Sequence, residues 1–575
     1  MSKYCWRSPM MTEKSHSQGQ NQNQDQSQSQ SQSQSQNLSQ DQSHDSGPLD
    51  ALVAFGVFCV AFCVGALTVN RGLALGDDGN LLLAAQRVLA GQIPFVDFRH
   101  YFYSPGRIYA VAGLFGLFGD SYLVTRWMWV VVRALSATLV FLIGARQVPR
   151  ATAIIPALVV ALIPGPWFKS YYALCGLLPL YCALLYHARP SPARVCLLGA
   201  STAFALFFRQ DMGISATGIA GITILYTNLL DGSRADRVDR LGLNRVRAIR
   251  RVLVHLGIFS ATIAVLLGPG LYYLHHHGAL VPMLKQLFVE TPAYTASKAE
   301  LTLPRMRHLF SSDLIILVLL AGPALTVVAG TVALFRWPLP AAMRFPLFAI
   351  CTMAAAALVP AYLAFTPIRI FQSYHVAWIL FVILAYHGID RVLRGSEFVK
   401  SLHRFLRAAV KGALVALVPL CFVGLFSFTT ANTLDPYGIT TLRGFPFQLR
   451  MRNEIVYVSW KDGAWIFHLR QFVEKNTATD EPVIFLPTYS LLNYICDRPN
   501  NTSYINLWTY LYAESEQGLA VERDLLGELR ARPVRFIFQV ESKRLGEDLE
   551  KYLKAEYQEL FPIGPLVVLQ RKDTL

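Results

Sequence analysis

The chain has 575 residues, 53% of them hydrophobic and 15% charged, with 52 Lys and Arg against 37 Asp and Glu. Soluble globular chains carry about 25% charged residues, so this composition excludes that class and indicates a polytopic membrane protein built of helices. The formal charge of +15 does not indicate nucleic acid, because the arginines cluster in short loops between apolar stretches, where orientation bias accounts for them.

Residues 1–50 form a Gln/Ser/Asn-rich tail whose core, SHSQGQNQNQDQSQSQ onward, holds almost no apolar side chains. Such a segment cannot bury enough surface to offset the entropy of ordering, so a disordered cytoplasmic tail is expected, with Met10 or Met11 as alternative starts. The first apolar run, ALVAFGVFCVAFCVGALTV (51–69), is longer than a signal-peptide core and lacks a small-residue cleavage pattern, which predicts a retained helix. Residues 70–121 are mixed in polarity, and the segments LLLAAQRVLAG and RIYAVAGLFGLFG predict helices lying in the interface plane. Further spans are predicted at 122–144, 151–167, 170–187, 194–208, 212–229, 252–274, 313–335, 345–366, 374–390 and 412–430, about eleven in all.

With the N-terminus inside, the loops ARQVPR, HARPSPAR, DGSRADRVDRLGLNRVRAIRR, RWPLPAAMR and RVLRGSEFVKSLHRFLRAAVK become cytoplasmic and carry most of the loop Lys and Arg. An odd number of spans then places residues 431–575 outside, together with Asp77 and Asp78. The runs PVIFLP (482–487), RFIFQV (535–540) and LVVLQR (566–571), separated by helical stretches such as LAVERDLLGELRARP, predict a small extracytoplasmic α/β domain. Eight of the nine cysteines lie in the tail or in apolar segments and only Cys496 in this domain, so no disulfide framework is expected. The spans show no internal period, which does not support a duplicated transporter.

The acid pair Asp77-Asp78 follows the first span. A carboxylate at the bilayer centre costs about 2.5–3.5 kcal/mol, so two adjacent ones belong at a membrane surface. At the start of a helix they face the positive end of its macrodipole, and N-capping alone is one reading of them. Adjacent helical residues point about 100° apart, so one can address a substrate while the other takes a cation or a supporting hydrogen bond.

The pair is followed in order by GQIPFVDF, YFYSPG and LFGDSYLVTR, then by Arg126 in the second span, FFRQDMG (207–213), TPIRIFQSYHVAW (366–378) and PVIFLPTYSLLNYICDRP. This ordered set resembles the GT-C superfamily of membrane glycosyltransferases, in particular bacterial relatives of protein O-mannosyltransferases and lipid A aminoarabinose transferases, with Phe95 where a tyrosine is usual. The resemblance runs across most of residues 50–575. It implies a mainly α, GT-C-type helical bundle with outer-face interfacial helices, and a transferase of a hexosyl or pentosyl group. The sugar would pass from a polyprenyl-phosphate donor to the hydroxyl of a lipid, glycan or protein acceptor at the outer face, with inversion.

By its place in the pair Asp77 is the candidate base, and Asp78 orients the acceptor, tunes its neighbour or helps hold a metal. The leaving phosphate calls for fixed cations, for which Arg209 and Arg369 are candidates and Lys169 in PGPWFKSYY a further one, although snorkelling explains interfacial arginines as well. Tyr374 joins them as a substrate-binding candidate. Asp97 is a candidate sugar contact or a turn stabiliser. In the His275-His276-His277 triplet consecutive side chains diverge, so His275 is at most a partial metal ligand; no cofactor is required, and a divalent cation is compatible with the resemblance. Asn500 and Asn501 sit in glycosylation-like tripeptides that matter only in a eukaryotic lumen, whereas a bacterial inner membrane is the expected location. The competing reading, a transporter or flippase of envelope precursors, predicts ionisable residues at the midplane of broken helices.

Overall fold

The computed structural model describes residues 47–99, 103–162, 170–230, 243–293, 314–363, 367–395, 412, 413, 415–417, 447–452, 454–505, 507, 516–541 and 545–574. Residues 1–46 of the expected disordered tail and Lys169 lie outside them, whereas Pro48–Asp50, expected in the tail, open the first helix. The chain divides into two units, residues 1–53 and 54–575, and the described residues of the first include the opening of one helix.

Thirteen helices precede the first strand among the described residues: α1 (Pro48–Ala66), α2 (Asp77–Leu89), α3 (Gly106–Phe118), α4 (Tyr122–Gly144), α5 (Arg150–Leu162), α6 (Tyr171–Ala188), α7 (Pro192–Phe208), α8 (Gln210–Leu225), α9 (Leu243–His276), α10 (Leu280–Lys285), α11 (Leu314–Arg336), α12 (Ala341–Leu363) and α13 (Pro367–Gly395). Single π-helical turns extend α8 through Tyr226–Leu230 and α10 through Gln286–Glu290. Among the described residues six helical segments are long and apolar enough to cross a membrane: Pro48–Ala66, Tyr122–Gly144, Tyr171–Ala188, Gln210–Leu229, Val246–His276 and Ala342–Val359. Shorter apolar segments occupy Gly106–Phe118, Arg150–Leu162, Pro192–Phe208 and Ala321–Arg336. The range 412–430 lies largely outside the described residues.

Local chemistry sets the breaks. Ser121 caps α4 by accepting from the Val124 amide at 3.1 Å, and Ser191 caps α7 by accepting from the Arg194 amide at 3.3 Å. Arg209 is one extended residue between α7 and α8, with φ −156° and ψ 101°. The two helices fold back so closely that a Cβ at Gly213 would sit 2.5 Å from Leu206 Cα, which only glycine permits. Gly106 plays the same part for α3, where a Cβ would fall 2.4 Å from the Phe207 carbonyl oxygen. The start of α3 therefore rests on the tip of the α7–α8 hairpin.

The C-terminal region holds the hairpin β1 (Phe447–Met451) and β2 (Glu454–Val458), then α14 (Trp460–Asn476), β3 (Val483–Leu486), α15 (Leu491–Cys496), α16 (Glu516–Ala531), β4 (Phe536–Val540), α17 (Glu547–Glu556), β5 (Tyr557–Ile563) and β6 (Leu566–Arg571). Strands β3, β4, β6 and β5 form one sheet in that order, with β3 parallel to β4 and β6 antiparallel to both of its neighbours. Ile484, Leu486, Ile537 and Leu569 bury one face against Leu525 and Leu529 of α16 and Leu549 and Leu553 of α17.

Candidate functional site

The acid pair occupies the first turn of α2, and the helix separates its two side chains. Asp77 is exposed, whereas Asp78 is buried. Asp78 Oδ2 accepts from the Tyr122 hydroxyl at 2.8 Å and from Arg126 Nη2 at 3.0 Å. Tyr122 and Arg126 stand one turn apart on α4, so both reach the same oxygen, and Arg126 Cζ lies 4.8 Å from the Tyr122 ring centroid. Arg126 also donates to the carbonyls of Arg71 at 3.2 Å and Gly72 at 3.0 Å, which ties the segment before α2 to α4. Burial pushes the Asp78 carboxyl above the ordinary aspartate range, and Arg126 and Tyr122 oppose that shift.

The C-terminal region holds this loop from the other side. The Leu491 amide donates to the Leu75 carbonyl at 2.8 Å, and Ser490 Oγ bonds the Gly76 carbonyl at 3.1 Å and Asn80 Oδ1 at 2.7 Å. A Cβ at Gly79 would meet the Leu491 nitrogen at 2.0 Å, so α15 rests on the backbone of α2. Glu454, at the start of β2, accepts from the Leu123 amide at 3.1 Å in the first turn of α4, where the helix dipole favours a carboxylate. Burial raises the Glu454 pKa, and its hydrogen bonds oppose the rise. Asp77 is thus the exposed member of a pair whose surroundings are fixed.

A second cluster gathers around Arg209. Its Nε and Nη2 fork onto Asp211 at 2.7 and 2.8 Å, and Cζ lies 3.7 Å from the centroid of the Tyr172 ring. Arg107, in the first turn of α3, stands 4.7 Å from the Tyr103 centroid and 5.0 Å from that of Tyr171. The Tyr172 hydroxyl bonds that of Tyr103, and the Ser104 amide donates to Gln210 Oε1 at 3.2 Å. The loop that begins with Asp77 thus ends by holding the α7–α8 tip. Both guanidinium groups are buried within an aromatic cage, in a chain short of charge. Sequence reasoning singled out Arg209 but passed over Arg107, Tyr103, Tyr171, Tyr172 and Asp211. The available signal was an arginine inside the first turn of a helix otherwise free of charge.

The other expected residues fall elsewhere. Asp97 is exposed and closes a turn, its Oδ2 accepting from the Ile93 amide at 2.6 Å while its own amide donates to the Ile93 carbonyl at 3.0 Å. That turn inserts Phe95, at φ +72°, into an apolar cluster with Leu274, Ala279, Met283 and Leu287. Arg369 lies in the first turn of α13, its side chain outside the description. Tyr374 is buried on the same helix with its ring 6.3 Å from that of Trp378. His275, His276 and His277 are exposed at the end of α9, His276 lying parallel to Tyr272 at 6.3 Å and His277 4.5 Å from the Tyr273 ring. Among the described residues no three His, Cys, Asp or Glu side chains gather as a metal ligand set. Asn500 is spent on its own turn, its Oδ1 accepting from the Thr502 amide at 3.0 Å and hydroxyl at 2.9 Å.

The helical bundle carries membrane-length apolar segments, an acid pair after its first helix and a small sheet region docked on the loop that holds the pair, and this architecture is shared with solved structures. Among solved structures, the chain is similar to the crystal structure of ArnT from Cupriavidus metallidurans bound to undecaprenyl phosphate, at TM-score 0.51 and 14% identity, covering 91% of this chain and 97% of that one. The apo form of the same ArnT matches at TM-score 0.51 and 13% identity over the same shares. The Archaeoglobus fulgidus oligosaccharyltransferase crystallised with Zn and sulfate matches at TM-score 0.46 and 12% identity, over 90% of this chain and 73% of that one. No protein-family model and no curated protein sequence matches the chain.

Proposed function

We propose that the chain is a glycosyltransferase that moves a hexosyl or pentosyl group from a polyprenyl-phosphate donor to an acceptor hydroxyl at the outer face of a bacterial inner membrane, with inversion. In this reading residues 1–50 are a cytoplasmic tail, 51–430 a transmembrane catalytic domain of about eleven spans, and 431–575 an extracytoplasmic α/β domain. Its membrane partners are a lipid-linked donor and a lipid, glycan or protein acceptor, without nucleic acid. ArnT, whose fold the chain shares, has been crystallised with undecaprenyl phosphate, which supports a polyprenyl phosphate here.

The observation that carries the reading is the unequal state of the two carboxylates: Asp78 is bonded to Tyr122 and Arg126, while Asp77 beside it is exposed. Asp77 accepts the acceptor hydroxyl proton as that oxygen attacks the anomeric carbon. The bond between that carbon and the phosphate oxygen breaks, and its electron pair leaves with the polyprenyl phosphate. Arg107 and Arg209 supply positive charge for the departing phosphate from a water-poor cage, with Arg369 and Lys169 as further cations and Tyr374 and Asp97 as substrate contacts. The Arg209 fork to Asp211 uses Nε and Nη2, which leaves Nη1 outside it. Asp78 positions its neighbour instead of touching the acceptor. His275 would join a site only if a divalent cation were recruited there.

The test is transfer in host membranes, read by mass spectrometry of polyprenyl-phosphate sugars and envelope glycans. Asp77→Asn is expected to leave the chain folded, abolish the glycan product and let the lipid-linked donor accumulate. Full product from that variant would remove Asp77 as the base.

A further inference from the structure

A cavity of about 1250 Å³ lies at the far end of α2, bounded by the 92–99 turn, the 281–290 segment, the 500–503 turn and α16. It exceeds the roughly 300–1,000 Å³ of ordinary small-molecule sites. Arg87, its nearest residue on α2, is ten positions beyond Asp77, about 15 Å along a helix rising 1.5 Å per residue. The cavity is therefore separate from the acid pair and joined to it by one rigid element.

The lining mixes polar and apolar surface in nearly equal shares, the apolar part including Phe95, Val96, Val281 and Pro282. Gln92, Gln286 and Asn501 supply amides, Arg87, Lys285 and three further arginines supply cations, and Asp97 and three further acids supply carboxylates. Arg87 is fixed by donating to the carbonyls of Asn500 at 2.6 Å and Thr502 at 2.7 Å, and burial pulls its pKa down to about 10. Donors and acceptors so interleaved match a ligand whose every group does both, as sugar hydroxyls do. The apolar part of the lining suits the C–H faces of such a ligand, and a ligand without polar groups does not match.

Two further observations bear on what enters. Gly527 sits in the interior of α16 on the cavity wall, and a Cβ there would meet nothing within 4 Å. Packing does not require this glycine, which weakens the helix it occupies, but its missing side chain keeps the wall open. The 281–290 segment buries Met283 and Leu287 and turns Val281, Leu284 and Phe288 outward at helical spacing, just beyond the membrane-length segment Val246–His276. An exposed apolar stripe in that place lies at the boundary between headgroups and acyl chains. The cavity thus opens beside the lipid surface.

We infer that this cavity holds the glycan headgroup of a membrane-anchored acceptor. The inference rests on the acceptor reading above and assigns the part of that acceptor remote from Asp77. Binding there spends remote contacts on positioning the reacting hydroxyl about 15 Å away.

The test places the full chain in nanodiscs containing digalactosyl diacylglycerol and follows amide exchange over 92–99, 281–290 and 500–503. At a glycolipid level ten times its Kd, exchange in these segments slows roughly tenfold relative to phosphatidylglycerol discs. Gly527→Trp, which fills the opening, abolishes the slowing, while Gly527→Ala retains it and controls for folding. No slowing in the unaltered chain, or slowing unchanged in Gly527→Trp, overturns the inference. Equal slowing by soluble digalactose in phosphatidylglycerol discs overturns its membrane-anchored part. Asp77→Asn leaves the slowing intact, so failure of the base assignment and failure of this site are read separately.

Discussion

Removing the guanidinium that faces Asp78 tests how the acid pair is divided. In Arg126→Met the carboxylate keeps the Tyr122 hydroxyl at 2.8 Å but loses its counter-charge at 3.0 Å, and the carbonyls of Arg71 and Gly72 lose their donor. Breaking a buried pair by removing one partner costs about 3–5 kcal/mol. Methionine retains much of the packed volume, so a loss near 3 kcal/mol is expected. The loss also acquires a sign with pH. The native pKa of Asp78 already lies above the ordinary 3.8, and Arg126 is the largest influence lowering it, so Arg126→Met raises it further. A carboxyl that binds its proton more tightly folded than unfolded contributes stability that is complete below 3.8 and lost as pH rises through the native value. Thermal unfolding of the purified protein in detergent should therefore show Arg126→Met falling furthest behind the unaltered chain at neutral pH and recovering on acidification. Adding Asp78→Asn to Arg126→Met should restore stability at neutral pH, because the charge that lost its partner is gone. A loss independent of pH, or additive with Asp78→Asn, would refute the buried-pair account.

Asp77→Asn should move the melting temperature little, since exposed substitutions fall within about 0.5 kcal/mol, while cutting turnover by roughly 10²–10⁴; a large stability change would indicate a capping role instead. Arg209→Lys gives up both the fork to Asp211 and the stack on Tyr172 at 3.7 Å. It should weaken retention of polyprenyl phosphate about tenfold in native mass spectrometry, equivalent to about 1.4 kcal/mol, and retention at the original level would remove Arg209 from the donor site. Gly79→Ala forces a Cβ to within 2.0 Å of a backbone nitrogen in α15. Overpacking of this kind costs about 1–3 kcal/mol, so limited proteolysis should cut the C-terminal region faster, and an unchanged digestion rate would mean that α15 does not rest on α2 as described.

Single apolar segments are legible because most of their residues are apolar, and among the described residues six of the about eleven expected spans are long and apolar enough to cross a membrane. The segment 122–144 matches α4, which Ser121 caps, and the runs at 482–487, 535–540 and 566–571 contain β3, β4 and β6, of which β3 and β4 are buried nearly throughout and β6 at Leu566, Val568 and Leu569. Strands β1, β2 and β5 escaped for the opposite reason. β5 exposes Gln558 and Glu559 in succession and carries Pro562, so no alternation marks it, and the β1–β2 hairpin turns through Arg452 at φ +46° without a glycine.

The acid pair shows where reading by residue type stops. That adjacent helical carboxylates diverge by about 100° follows from the repeat alone. Which of them turns inward depends on a tyrosine and an arginine 44 and 48 residues away, spaced one turn apart on another helix. Arg126 was noted in the sequence without its partner, and Tyr122 was not noted, because contacts over that separation leave no local pattern. The arginine cage has the same origin, since Arg107 and Tyr172 come from two helices and Arg209 from the extended link between α7 and α8, and they meet where Gly106 and Gly213 let backbones touch. In such a fold the glycines that permit close approach carry as much of the site's specification as the charged residues brought together, and the substitution at Gly79 tests that directly.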